Sequence, residues 1–120
     1  MGKIDSNRLL EERTLTFAVA VVRFVSTFSR SEAGLVIGRQ LLKSGTAIGA
    51  NYREANRAES KDDFIHKTAI VVKEASETDY WLDLCVRIEL GDTTERTSLS
   101  QEARELLAIF TTINRRARGR

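Results

Sequence analysis

The chain has 120 residues, 42% of them hydrophobic and 30% charged, with no proline, one cysteine, one histidine and a formal net charge of +2. That is a single domain long enough to bury a core and too apolar for a disordered segment, without the run of about 18–20 apolar residues that a spanning helix needs. One cysteine excludes an internal disulfide framework and fits a reducing, cytoplasmic setting, while one histidine excludes a multi-histidine metal site.

Residues 1–8 are polar and do not read as a signal peptide. Met1-Gly2-Lys3-Ile4-Asp5-Ser6 matches the loose myristoylation pattern, but nothing else in the chain suggests a membrane. The first helix is expected over about residues 7–28. Leu10, Phe17, Val21, Phe24 and Phe28 recur every three or four positions as its core stripe, and Leu15, Ala18, Val22 and Val25 widen that stripe beyond one face. Ser29 and Glu32 have the spacing of a capping box, which starts a second helix over about 30–58. Ser60 and Asp63 repeat that spacing and open a third, over 61–90, with Gly91 as its C-cap. Asp92 and Glu95 start a fourth, over 93–117, with a core stripe of Leu99, Ala103, Leu106, Leu107, Phe110 and Ile113. No strand-like alternation competes. Four long helices with short connections, uninterrupted by proline, predict an all-α protein: one antiparallel up-down four-helix bundle spanning 1–120.

Gly34, Gly38, Gly45 and Gly49 fall within an arc of about 60° on the second helix, beside Leu41, Ile48, Tyr52 and Ala55. Each glycine costs a helix roughly 0.8–1 kcal/mol relative to alanine. The offset expected is the close approach of another helix, with Phe17, Val21, Phe24 and Phe64 available to fill the vacated volume. The competing reading makes Ser44-Gly45-Thr46 a turn, so that Leu35–Lys43 and Ala47–Ala58 form a DNA-reading helix-turn-helix. A phosphate-binding glycine loop lacks its preceding strand.

The third helix carries a core stripe of Phe64, Thr68, Val71, Ala75, Leu82 and Val86, and a second apolar set, Ile70, Trp81, Leu84 and Ile88, on a roughly opposite arc. A helix in a lone bundle needs one apolar face, so the second set predicts an oligomer interface with Trp81 as anchor. Asp79 falls inside the core arc, and Arg53 on the second helix is its candidate buried partner. Cys85 borders the stripe as a small buried hydrophobe. Asp63 and His66 have the spacing of half a dimetal site, and Glu74 and Glu77 lie one turn apart, but the rest of such a site is missing. No nucleophile pairs with a histidine. No catalytic residue, metal, cofactor or small-molecule substrate is expected, and Lys73–Glu77 reads as a solvated pair.

The charge is uneven. Residues 115–120 hold Arg115, Arg116, Arg118 and Arg120 and no acid, leaving 15 basic against 17 acidic side chains elsewhere. Such a tail either neutralises phosphates of RNA or DNA without reading sequence or simply complements a helix C-terminus.

Ser44-Gly45-Thr46-Ala47-Ile48-Gly49-Ala50-Asn51-Tyr52-Arg53-Glu54-Ala55 resembles the characteristic segment of the bacterial four-helix bundle proteins encoded in intervening sequences of 23S rRNA genes. Ser60, Asp63-Phe64-Ile65-His66-Lys67, Lys73-Glu74-Ala75, Glu77-Thr78 and Tyr80-Trp81-Leu82 extend the match, which covers about residues 10–113. Ser29 departs from it, where many members have proline after phenylalanine. The resemblance implies an up-down bundle, a five-fold ring and no catalytic residues. Related accessory proteins of diversity-generating retroelements form similar pentamers and bind nucleic acid and a reverse transcriptase. The expected function is a non-enzymatic homo-oligomeric module, a pentamer by that resemblance, that binds RNA or DNA through its basic surface and tail. The alternative is a protein–protein scaffold without nucleic acid.

Overall fold

A computed structural model of the chain describes residues 6–120. The myristoylation pattern at Gly2 lies outside the described residues. Four helices follow one another: α1 (Ser6–Val25), α2 (Glu32–Asn56), α3 (Lys61–Ile88) and α4 (Thr93–Ala117). At 1.5 Å per residue α3 is about 42 Å long, which sets the 44 Å long axis of the molecule. The chain runs up and down, each helix antiparallel to the last. α2 packs on α1 and α3, α3 packs on α4, and α1 meets α4 along a thinner seam. The two shorter dimensions differ accordingly, 32 and 20 Å, where a square bundle would have equal widths.

Local chemistry sets the helix ends. α1 stops at Val25, short of residue 28, because Ser26 and Thr27 hydroxyls donate to the carbonyls of Val22 (3.0 Å) and Phe24 (2.6 Å), taking up acceptors of the last turn. The N-cap of α2 is Ser31, not Ser29: the Gly34 amide donates to Ser31 Oγ at 2.9 Å. Ser60 and Asp92 cap α3 and α4 as their spacing predicts, accepting from Asp63 and Glu95 amides. The left-handed C-cap of α3 is Glu89 (φ 55°), with Gly91 (φ 83°) turning the chain two residues later. Arg96, buried, donates to the carbonyls of Leu90 and Gly91, both at 3.1 Å, and so holds that connection onto α4.

The core is built from Phe17, Val21 and Phe24 of α1, Leu41, Ile48 and Tyr52 of α2, Val71, Ala75, Leu82 and Cys85 of α3, and Leu99, Ala103, Leu106 and Phe110 of α4. Leu10, Phe28, Leu107 and Ile113 are half-buried against it. Two expected core residues of α3 are displaced outward: Phe64 is half-buried and Val86 is exposed, with Cys85 and Thr78 in the interior instead. Threonines are tolerated there because each hydroxyl bonds its own helix, Thr78 Oγ1 to Glu74 O at 2.7 Å and Thr68 Oγ1 to Phe64 O at 2.9 Å.

α2 is continuous through Ser44-Gly45-Thr46, and Ser44 is buried, so there is no helix-turn-helix. Its glycines face α1. A Cβ at Gly45 would lie 3.0 Å from Val21, one at Gly49 2.9 Å from Thr14 Oγ1, and one at Gly38 3.0 Å from Val25. Gly34 serves the connection instead, since a Cβ there would lie 2.5 Å from the Ser29 carbonyl oxygen. Thr14, absent from the expected stripe, is the side chain that seats on Gly49.

Candidate functional site

The up-down topology gathers the start of α1, the end of α2, the start of α3 and the end of α4 at one end of the bundle. Residues 115–120 are the last turn of α4 and its cap. Arg115 and Arg116 are helical, and Arg118 is the C-cap, its Nε donating to Asn114 Oδ1 at 2.9 Å. The Arg120 amide returns to the Arg115 carbonyl at 3.1 Å. Asn114 Nδ2 also donates to Ile65 O (3.0 Å) and Thr68 Oγ1 (2.9 Å), tying this end of α4 to α3. All four arginines are exposed, where cations complement the helix C-terminus.

Arg8, Arg53, Arg57, Lys61 and Lys67 lie at the same end, together with Glu12, Glu54, Glu59 and Asp62. Arg53 pairs with Glu11 at 3.6 Å, and Glu11 also accepts from Asn56 at 2.9 Å. Lys67 pairs with Asp63 at 3.1 Å. The Lys67 hydrogen bond, followed by the Glu59 amide, holds the Asp63 carboxyl below its ordinary value. Among the described residues Arg8, Arg57, Lys61 and the four terminal arginines form no ion pair, so this end presents cationic groups not neutralised by carboxylates.

The expected Arg53–Asp79 pair does not form. Position 53 sits near the α2–α3 connection, and the position facing Asp79 across that antiparallel hairpin is near Gly38, about 15 residues or 22 Å away along α2. Asp79 is half-buried on the flank of α3 rather than inside the core. A polar tie that does form between helices is that of Arg13, partly exposed, whose guanidinium donates to Glu102 at 2.8 and 2.7 Å and to Glu105 at 3.1 Å, linking α1 to α4.

Of the second apolar set, Trp81 and Leu84 are half-buried against their own bundle's core, Ile70 is half-buried and Ile88 is exposed. Trp81 Nε1 is buried with no hydrogen-bond partner among the described residues, and its ring meets Tyr80 edge-on at 5.0 Å. Tyr80 is the most open of the large apolar side chains, 62% exposed. A second open apolar surface is on α1, where Leu15, Val19 and Val22 are exposed; of the widened stripe read from the sequence, Leu15 and Val22 lie on this surface, while Ala18 and Val25 are half-buried. It borders a groove between α1 and α2 with a volume near 470 Å³, closed at one end by Glu11 and Arg53.

No three His, Cys, Asp or Glu among the described residues converge to hold a metal. His66 is exposed and Asp63 is engaged by Lys67. Burial, and then the neighbouring Glu77 charge, hold the Glu74 carboxyl above its ordinary value. Burial pushes the Cys85 thiol up to about 11 despite Arg96 nearby, which keeps it protonated and unreactive. No described helix is long and apolar enough to cross a membrane.

The family model described as 23S rRNA-intervening sequence protein matches residues 10–112. A crystal structure from Bacteroides thetaiotaomicron, of a protein with unknown function from the S23 ribosomal protein family, superposes with a TM-score of 0.81 at 36% identity, covering 91% of this chain and 97% of that one. No match was found among curated proteins. An up-down bundle with the α2 segment around Ser44–Ala55 packed by its glycines against α1, matched over nearly its whole length, places this chain in the family of 23S rRNA-intervening sequence proteins.

Proposed function

We propose that the protein is a non-enzymatic, homo-oligomeric helical module that binds the phosphate backbone of RNA or DNA through the basic end of its bundle. The observation that carries this is the α4 terminus: four exposed arginines fixed in a helix end and its cap, beside Arg8, Arg57 and Lys61, none of them in an ion pair among the described residues. Guanidinium groups recognise phosphate oxygens bidentately and give affinity without sequence readout. Oligomerisation multiplies the patch. Copies held together make the second and later contacts intramolecular, so a modest single-patch affinity becomes an avid one. Two exposed apolar surfaces, on α1 and on α3, support assembly.

Fluorescence anisotropy with a labelled single-stranded RNA and a duplex DNA tests the reading. If the four arginines each neutralise one phosphate, duplex affinity falls about 100-fold between roughly 50 and 200 mM salt. Replacing Arg115, Arg116, Arg118 and Arg120 by alanine flattens that slope. Affinity that ignores salt, or survives the fourfold replacement, sinks the reading.

The α1 surface favours a second reading, a protein scaffold without nucleic acid. Capture from the native host after nuclease treatment separates the two, because a protein partner held by the scaffold alone is retained.

A further inference from the structure

The oligomer reading above leaves open which surfaces meet. We infer that the groove between α1 and α2 of one copy receives the ridge Tyr80–Leu84–Ile88 on α3 of the next, a head-to-tail contact between unlike faces. This inference rests on the homo-oligomer reading and gives it a geometry.

The groove has Leu15, Ala18 and Val22 on one wall and Thr46, Gly49 and Ala50 on the other. A second, smaller recess lies between Val25 and Leu42, nearer the α1–α2 connection. Residues 11–25 of α1 make the two together about 21 Å long, enough for three to four turns of a helix. The ridge is shorter and fits within that length. Tyr80, Leu84 and Ile88 recur every four residues and so stand in one line about 12 Å long. Tyr80 and Ile88 are exposed, and Trp81 packs beneath them against the core as a rigid base.

Charge selects the occupant. Arg30 and Arg39 line the recess near the α1–α2 connection and supply the cations unpaired among the described residues, while Arg53 at the other end of the groove is paired with its one acid, Glu11. The ridge is edged by Glu77, Asp83 and Glu89; Asp83 is paired with Arg87 at 3.5 Å, which leaves Glu77 and Glu89 as its acids outside any ion pair among the described residues. A basic-rimmed apolar groove and an acid-edged apolar ridge on the same chain complement each other in sign as well as shape. The two features occupy different faces, the groove between α1 and α2 and the ridge on α3. Each contact therefore leaves one free groove and one free ridge, and repetition closes a ring or extends a filament.

The test uses two full-length variants at exposed positions, Val22→Glu in the groove and Ile88→Glu on the ridge, with helicity checked by circular dichroism. Light scattering of the wild-type chain is expected to give a multiple of the 13.5 kDa chain mass. Each variant alone is expected to fall to the single-chain mass. Mixed, they retain one intact groove and one intact ridge between them, and the mass doubles and stops there. A mixture that stays monomeric, or an Ile88→Glu chain that assembles like wild type, overturns this pairing while leaving the oligomer reading standing. A wild-type chain that is monomeric at micromolar concentration overturns both.

Discussion

Gly91 is held by two independent constraints, and a substitution there separates them from glycine's role in the helices. Its φ of 83° is the left-handed region that other L-residues avoid, and a Cβ would lie 2.5 Å from the Phe24 ring and 2.8 Å from Phe28. Those rings stack edge-on at 5.0 Å and close the end of the core. Gly91→Ala is expected to cost about 2–4 kcal/mol in urea denaturation, combining left-handed strain with overpacking. Gly119, also left-handed but with open space around it, provides the comparison and should cost less. At Gly45 the balance differs. Alanine regains roughly 1 kcal/mol of helix propensity and forces Val21 aside by a few tenths of an ångström, so Gly45→Ala is expected to be near neutral while Gly45→Leu costs at least about 1–3 kcal/mol. Cys85 gives a residue-scale pH dependence. Its thiol is raised from 9.0 to about 11 by burial. The folded state thus favours the protonated form, and its contribution is complete below pH 9.0 and lost as pH rises toward 11. The stability advantage of wild type over Cys85→Ala should be flat below pH 9.0 and shrink above it.

At the start of α2 two serines compete for the cap, and local geometry decides between them. Ser31→Ala is expected to cost about 1 kcal/mol by removing the acceptor for the Gly34 amide, and Ser29→Ala to cost little, since Ser29 caps nothing. From the sequence both serines qualify, and Ser29 with Glu32 has the better pattern. What decides is Gly34, which lets the Ser29 carbonyl fold back onto the helix, a contact absent from any spacing rule. The element number, their order and most core positions were legible because heptad-like periodicity is strong on α1, α2 and α4. α3 was less legible. Its apolar residues are spread around the helix, so Val86 and Cys85 are nearly interchangeable in pattern, and only packing places Cys85 inside. The Arg53–Asp79 pair fails on two counts: Asp79 lies on the flank of α3 rather than in the core, and the antiparallel hairpin sets it opposite Gly38, far along α2 from Arg53. The terminal arginines were visible as a charge run. Their company with Arg8, Arg57 and Lys61 follows from the up-down topology, which brings four helix ends together, and shows in no local charge run.

Across the whole molecule the weakest joint is the seam between α1 and α4. α2 and α3 each pack on two helices along their length, whereas α1 depends on α2 and on a seam lined by Thr16, Val19, Ala20, Ser98 and Leu99. Small and polar side chains bury little there, and the polar tie across it is Arg13 with Glu102 and Glu105. Those hydrogen bonds, Glu102 foremost, stabilise the charged guanidinium further. Local opening follows the least-buried joint, so α1 should detach before the α2–α3–α4 unit unfolds. Native-state hydrogen exchange on the Ile88→Glu chain checks this without an adjoining copy on the groove. Amides of α1 are expected to exchange at a lower free energy than those of α3. Arg13→Met should lower the α1 value by about 0.5–1 kcal/mol, the range for a partly exposed ion pair, and leave α3 unchanged. Equal opening free energies in α1 and α3 would mean that the seam is no weaker than the other interfaces and that the bundle opens as one unit.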